Sequence, residues 1–283
     1  MNKKCAWKKI VRYVSRLYSL YFIRKLWVHW FNPLYTLYFN FIFFPFRQAI
    51  RFPVFVYGWP KLFSQCGRMK CVGTCKTGMV QLNLSFGGSP QNSVGNTELE
   101  IWGVVLFRGK CVIGSGNKIV VGYDAVLDMG EYTRIMNFCN LSAYKGIRIG
   151  SYSWIVHRCQ VLDTNFHYIA DFKQGLVKKH ARPITIGNYC WICNSSTVTG
   201  GAIIPDKTIV ASNSLVNKDM SFVSEESIIG GVPAELISTG YRRIDNYKFE
   251  SEVAEFFYNH PEAEVYKMEY GISHSCCDAD WDK

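Results

Sequence analysis

Residues 183–216 read PITIGNYCWICNSSTVTGGAIIPDKTIVASNSLV. Every sixth residue from Ile186 is a β-branched aliphatic: Ile186, Ile192, Val198, Ile204, Val210 and Val216. Four residues after each of the first five stands a small side chain: Cys190, Ser196, Ala202, Thr208 and Ser214. If aliphatics make up roughly a fifth of an ordinary chain, six in one register arise by chance on the order of once in ten thousand. A second run has the same phase, with Ile149, Ile155 and Val161 inward and Ser153 and Cys159 at the small position. Looser units precede it at Ile113-Gly114, Val121-Gly122 and Leu127-Asp128.

A period of six matches neither an amphipathic helix nor an alternating strand. It matches a triangular parallel β-coil in which each unit gives one short strand and one corner, and three units complete a turn. The aliphatic points into the prism, the small residue lets the corner close, and successive coils pair as parallel strands roughly 4.8 Å apart. Coils of hexapeptides wind left-handed, against the usual crossover preference. The expected class is therefore mainly β: a left-handed parallel β-helix of hexapeptide repeats over residues 98–220. A basic, aromatic and partly α-helical extension over 1–97 would precede it. A segment over 221–283 would follow, partly packed on the coil and ending in a short helical, acidic tail.

The two regular runs are out of step. From Val161 to Ile186 is 25 residues, which is not a multiple of six. A polar, charged stretch over 162–182 must loop out of the coil. Long loops on a rigid scaffold are where chemistry concentrates, and this one holds His167 and His180.

The 283-residue chain is 48% hydrophobic and 16% aromatic, which excludes disorder as its main state. Its net charge of +10 is unevenly placed. Met1 to Thr97 holds 14 Lys or Arg and no Asp or Glu, whereas the rest holds 18 basic and 22 acidic residues. That asymmetry disfavours a uniformly basic nucleic-acid binder and favours a local anionic partner.

Within the basic end, Trp7, Ile10, Val11, Val14, Leu17, Tyr18 and Tyr21 fall on one helical stripe, with Lys4, Lys8, Lys9, Arg12 and Arg16 mostly off it. Such a helix either lies in the interface of an anionic membrane or packs on the rest of the protein. The segment from Trp27 to Phe46 is no membrane span, because His29, Asn32, Pro33, Asn40 and Pro45 interrupt a run that needs about 20 apolar residues.

The 11 cysteines are odd in number, and no apolar signal core leads to a small-residue cleavage site. Reduced thiols and a cytoplasmic location are expected, with peripheral contact to the inner face of a membrane. Cys190 and Cys193 supply only half of a tetrahedral zinc pattern, so packing is their expected role and no metal is expected.

Taken together, RPITIGNYCWI (182–192), IPDKTIVASNSLVNKD (204–219) and IGGVPA (229–234) resemble the hexapeptide-repeat acyltransferases. The branch most similar is that of maltose, galactoside and capsular-sugar O-acetyltransferases, and the likeness covers about residues 110–240. It implies a homotrimer that uses acetyl-CoA as co-substrate. It also implies a general-base histidine 16 residues before the proline of the P-I-x-I-G motif, and Pro183 minus 16 is His167. Trp191 corresponds to a tryptophan beside the pantetheine arm. Ser212, Asn217 and Lys218 fall among the cofactor contacts, and Asn140 and Asn165 among the acceptor contacts. His180 is a second choice for the base, and His157 sits inside the repeat as a filler or groove residue. The three histidines do not match the ligand spacing of the zinc-binding carbonic anhydrases that share this coil. Two positions depart from the pattern: Cys193 replaces a glycine, and Glu235 stands where a basic residue is common, with Arg242 and Arg243 downstream as substitutes for a phosphate contact.

The chemistry accounts for a histidine. A hydroxyl attacks a thioester only if its proton leaves as the bond forms, and imidazole, with an ordinary pKa near 6.5, can take it. No activated serine or cysteine nucleophile is evident, so transfer would be direct. The expected function is acetyl-CoA-dependent O-acetylation of a sugar hydroxyl on a polysaccharide or lipid-linked saccharide. An antibiotic-type acetyltransferase of the same fold and a non-catalytic β-helix scaffold are the alternatives.

Overall fold

The computed structural model describes residues 30–85, 95–269 and 272–280. Its body is a three-sided parallel coil. Eight parallel strands form the first face, from Val54–Val56 through Trp191–Ile192 and Ile209–Val210 to Ser227–Gly230, and Glu235–Thr239 joins antiparallel as the ninth. Seven strands form the second face, from Lys61–Ser64 to Leu215–Val216, and six form the third, from Arg68–Cys71 to Ile203–Ile204. Chain order visits the three faces in turn, which is the hexapeptide β-helix expected from the repeat.

The inward aliphatics stack coil on coil. On the first face Ile113, Ile135, Ile155, Ile192, Val210 and Ile229 are register partners in succession, and none is more than 4% exposed. All six residues of the deciding register, Ile186 to Val216, are buried.

The small residues act in the way their position predicts. The residue before six of the seven, Tyr152, Arg158, Tyr189, Ser195, Lys207 or Asn213, turns the corner in the left-handed region, with φ between 54° and 61°, and Gly201 before Ala202 does so at 92°. That conformation costs a non-glycine residue roughly 1–2 kcal/mol. The small side chain then bonds the neighbouring backbone: Ser153 Oγ donates to Gly187 O at 2.7 Å and Ser196 Oγ to Ala211 O at 2.9 Å. On one edge, stacked corners bring Tyr132, Tyr152 and Tyr189 into a column, with ring centres 5.1 and 4.7 Å apart.

The glycines of the Ile-Gly units mark the closest approach of coils. A Cβ on Gly150 would lie 2.4 Å from the backbone C and O of Gly187 in the next coil. Gly150→Ala should therefore cost about 1–3 kcal/mol, because the coils must move apart. Equilibrium denaturation checks this, and an unchanged midpoint would contradict it.

Two expected boundaries are corrected. The coil begins at Val54, not near residue 98, because Val54–Val56, Lys61–Ser64 and Arg68–Cys71 already pair in parallel with the strands above them. Its first face continues past 220 to Gly230. Part of the supposed extension is the lid of the prism. Helix α1 (Pro33–Phe43) is capped by Asn32, whose Oδ1 accepts from Tyr35 N at 3.0 Å, and begins with Pro33 at its first position. Its buried side chains Phe39 and Phe43 close the apolar interior. Buried Asn40 serves the exposed edge of the first coil, donating to Val54 O at 2.7 Å and accepting from Val54 N at 3.1 Å. The stripe expected over residues 4–25 lies outside the described residues. No described helix is long and apolar enough to cross a membrane.

Beyond Thr239 the chain runs back along the first face into helix α2 of the carboxyl end (Tyr247–Asn259), which has no buried residue. The short segment 272–280 is tied in by Asp245 N to Cys277 O at 2.8 Å and by Arg242 to Asp278 at 2.6 Å.

Candidate active site

The stretch that breaks the repeat is a two-stranded arm. It leaves the second face after Gln160–Leu162 and rejoins the third at Ile184–Ile186. Ile155 pairs with Ile192, 37 residues on, whereas the next coil takes only 18 from Ile192 to Val210. Thr164 bridges Ala181 antiparallel, Asn165 N donates to His180 O at 2.9 Å, and Ala170–Asp171 pairs with Leu176–Val177. At the tip, Asp171 Oδ1 accepts from Lys173 N and Gln174 N, and Gly175 takes a φ of 63°.

The root of the arm is held by Asp163. This fully buried carboxylate accepts from Tyr144 N at 2.7 Å, Lys145 N at 2.7 Å and Gly146 N at 2.6 Å, the corner of the preceding coil. Its own carbonyl accepts from Arg182 N at 2.8 Å, which closes the arm's base. The sequence reading missed this residue, although an aspartate following the inward Val161 at the end of a coil strand was a signal that something there needed an acceptor.

A groove runs along the arm, lined by Asn165, His167, Lys179, His180, Arg182 and Thr199 among others. Three histidines had been candidates, and their surroundings separate them. His180 Nδ1 is bonded to Thr164 Oγ1 at 3.0 Å, and its ring meets Tyr168 edge-on. His157 is buried in the coil, where Nδ1 accepts from Asn137 N at 3.4 Å and burial lowers its pKa, helped by Arg158. His167 is exposed and has no hydrogen-bond partner among the described residues. His260 and His274 are bonded to Phe256 O and Glu226.

The remaining expected residues do not meet in one place on this chain. Asn165 shares the groove with His167. Asn217 and Lys218 follow the second-face strand Leu215–Val216, on the edge from which the arm leaves two coils earlier, and both are exposed. Ser212 is exposed at the corner between the first and second faces. Asn140 begins a second-face strand, in the column Lys118, Asn140, Gln160 and Thr197, away from the arm's root. Its side-chain oxygen is buried without a hydrogen-bond partner among the described residues.

Trp191 lies on the first face in the column Arg134, Trp154, Trp191, Ile209. The returning chain covers part of it. The Arg243 guanidinium lies 3.6 Å from the Trp154 ring centre and 5.7 Å from that of Trp191, while Arg134 is 4.4 Å from Trp154. Arg243 also pairs with Asp245 at 2.8 Å. Burial pushes the Asp245 carboxyl up to about 6, against the opposing pull of Arg243 and Arg242. Arg242 pairs with Asp278 and Glu226. The two arginines expected as substitute phosphate contacts are thus committed to fixing the carboxyl-terminal segment.

Cys159, Cys190 and Cys193 pack within the coil. Burial raises the Cys193 thiol to about 11 and the Cys190 thiol to about 12. Cys159 is lowered by its hydrogen bond with Cys139, but it is fully buried inside the coil and out of reach of a substrate. Among the described residues no three His, Cys, Asp or Glu side chains converge as metal ligands.

No protein-family model matches the chain. Solved structures to which it is similar include acetyltransferases. One is the polySia-specific acetyltransferase NeuO, at 18% identity over 78% of this chain and 91% of that one, with a TM-score of 0.42. Another is the polysialic acid O-acetyltransferase OatWY, at 21% identity over 67% and 99%, with a TM-score of 0.42. A third is the hexapeptide-repeat acetyltransferase VCA0836 of Vibrio cholerae O1 biovar eltor in complex with acetyl-CoA, at 23% identity over 40% and 60%, with a TM-score of 0.34.

Proposed function

We propose that the protein is an acetyl-CoA-dependent O-acetyltransferase acting on a sugar hydroxyl of a polysaccharide or lipid-linked saccharide, with His167 as general base. The observation that carries the reading is His167 itself: an exposed imidazole without a hydrogen-bond partner among the described residues, in a groove on an arm rooted in a rigid coil. As the acceptor oxygen bonds to the thioester carbonyl carbon, His167 takes the hydroxyl proton. As the carbon–sulfur bond breaks, it returns that proton to the departing thiolate. Asn165, which lines the same groove, is an acceptor contact, and Asn140, away from the arm on its own chain, would serve only from a neighbouring chain of the trimer.

The donor's phosphates and amides suit the exposed hydroxyl of Ser212, amide of Asn217 and ammonium of Lys218. Trp191 would flank the pantetheine arm, with Arg243 already over one side of the tryptophan pair. Trp191 is on the first face, while the arm leaves from the edge between the second and third. A homotrimer would set one chain's arm against another's first face and complete the site, and this accounts for the dispersal of these residues on one chain. The compartment proposed is the cytoplasm, as the 11 thiols suggest.

The test is release of CoA thiol from acetyl-CoA on addition of saccharide acceptors, with particle mass measured in parallel. Acceptor-dependent release by a species of three 32.5 kDa chains is expected. A monomer that releases no thiol with any saccharide would overturn the reading.

A further inference from the structure

Helix α1 has two stripes, neither of them charged. Thr36, Phe39, Asn40 and Phe43 face the prism and are buried. Leu34, Leu37, Tyr38 and Phe41, at positions i, i+3, i+4 and i+7, face outward and are 75%, 46%, 45% and 44% exposed. A helix lying on a water-exposed surface carries polar residues on its outer stripe. This one carries no charged residue at all.

The patch extends beyond the helix. The Tyr35 ring lies 5.7 Å from both Tyr38 and Trp59, and Phe41 lies 6.1 Å from Phe46. Trp59 is 50% and Phe46 70% exposed. Contiguous apolar surface of this kind marks an interaction face.

The charges around it identify the partner. Exposed Arg47 follows Phe46, and exposed Arg51 follows Ile50. No acidic residue occurs anywhere from Met1 to Thr97, against 14 Lys or Arg. Rings and aliphatics bordered by cations alone suit the interface of an anionic bilayer, where aromatic side chains sit at headgroup depth and cations meet phosphate. A symmetric contact with a second copy would instead oppose two faces whose exposed charges, Arg47 and Arg51, are of one sign.

We propose that this lidded end of the coil docks on an anionic membrane. Leu34, Leu37 and Phe41 enter the acyl boundary, and Arg47 and Arg51 lie at the phosphates. The arm, several coils away along the prism, stays free. The proposal is independent of the enzymatic reading.

The experiment is co-sedimentation of the full chain with phosphatidylcholine vesicles, with and without phosphatidylglycerol. The full chain should pellet with the anionic vesicles. The combined change Leu34→Gln, Leu37→Gln and Phe41→Gln should weaken that binding by about tenfold or more, with the melting temperature held because these side chains are exposed. Arg47→Gln should reduce the preference for phosphatidylglycerol. If the triple variant melts early, Leu34→Gln alone should still weaken binding by about threefold. Vesicle binding unchanged in these variants would overturn the proposal and assign any membrane contact to residues 1–29. A fall in particle mass of the triple variant with vesicle binding intact would overturn it in favour of an interface between copies.

Discussion

His167→Ala should lower kcat for acetyl transfer by about a hundred- to ten-thousand-fold, the range expected for loss of one positioned base. The KM for acetyl-CoA should change little, because the side chain acts on the acceptor hydroxyl. The fold should also be unaffected, since this exposed side chain has no hydrogen-bond partner among the described residues. His180→Ala is the informative control. It removes the bond to Thr164 Oγ1 and the edge contact with Tyr168, so it should loosen the arm and produce a smaller loss. Steady-state kinetics of the two variants decides between the histidines. A larger loss from His180→Ala would move the base to that residue.

Asp163→Ala should be the most destabilising polar substitution in the coil. Three backbone N–H groups at 144–146 would lose their acceptor in a site that the carboxylate occupies with no exposure. A fully buried donor left unpaired costs about 1–3 kcal/mol, and because Tyr144 and Lys145 are exposed enough for water to reach part of the corner, the lower part of the three-donor range, about 3–5 kcal/mol, is expected. Asp163→Asn should not rescue it fully, because one amide NH2 would face N–H groups that also donate. Denaturant titration measures the loss, and hydrogen exchange at Tyr144, Lys145 and Gly146 should rise with it. A loss below about 1 kcal/mol would show that the corner finds other acceptors.

The coil was legible because its geometry repeats. From Ile186 onward each inward position is one aliphatic every six residues, and the pairing of Ile192 with Val210 confirms an 18-residue turn. The earlier coils obey the same geometry without the same period. Val54 pairs with Val80 and Val80 with Cys111, spacings of 26 and 31 residues, and register shifts interrupt two of the pairings. Longer corners and those shifts hid three strands that a six-residue comb could not find. Asn40 shows the same limit. In sequence it interrupts an apolar run, and only the open edge of Val54 gives it a purpose.

At the site, the arm could be seen as a break in the repeat, and the family resemblance, through its spacing to Pro183, pointed to His167. Which histidine is uncommitted depends on contacts across the arm, such as Thr164 with His180, that no linear pattern contains. The fate of Arg242 and Arg243 was hidden for the same reason. Their partners Glu226, Asp278, Asp245 and Trp154 lie from 2 to 89 positions away and meet only when the chain folds back over the first face.

The most direct test of the central claim is titration of the full chain with acetyl-CoA in a calorimeter, with free CoA as control and no acceptor assumed. Saturable binding below about 1 mM, in the range of ordinary substrate constants, is the predicted result. Absence of heat up to that concentration would mean that Cys193 and Glu235 mark a lost donor site, and the coil would then stand as a scaffold rather than an enzyme.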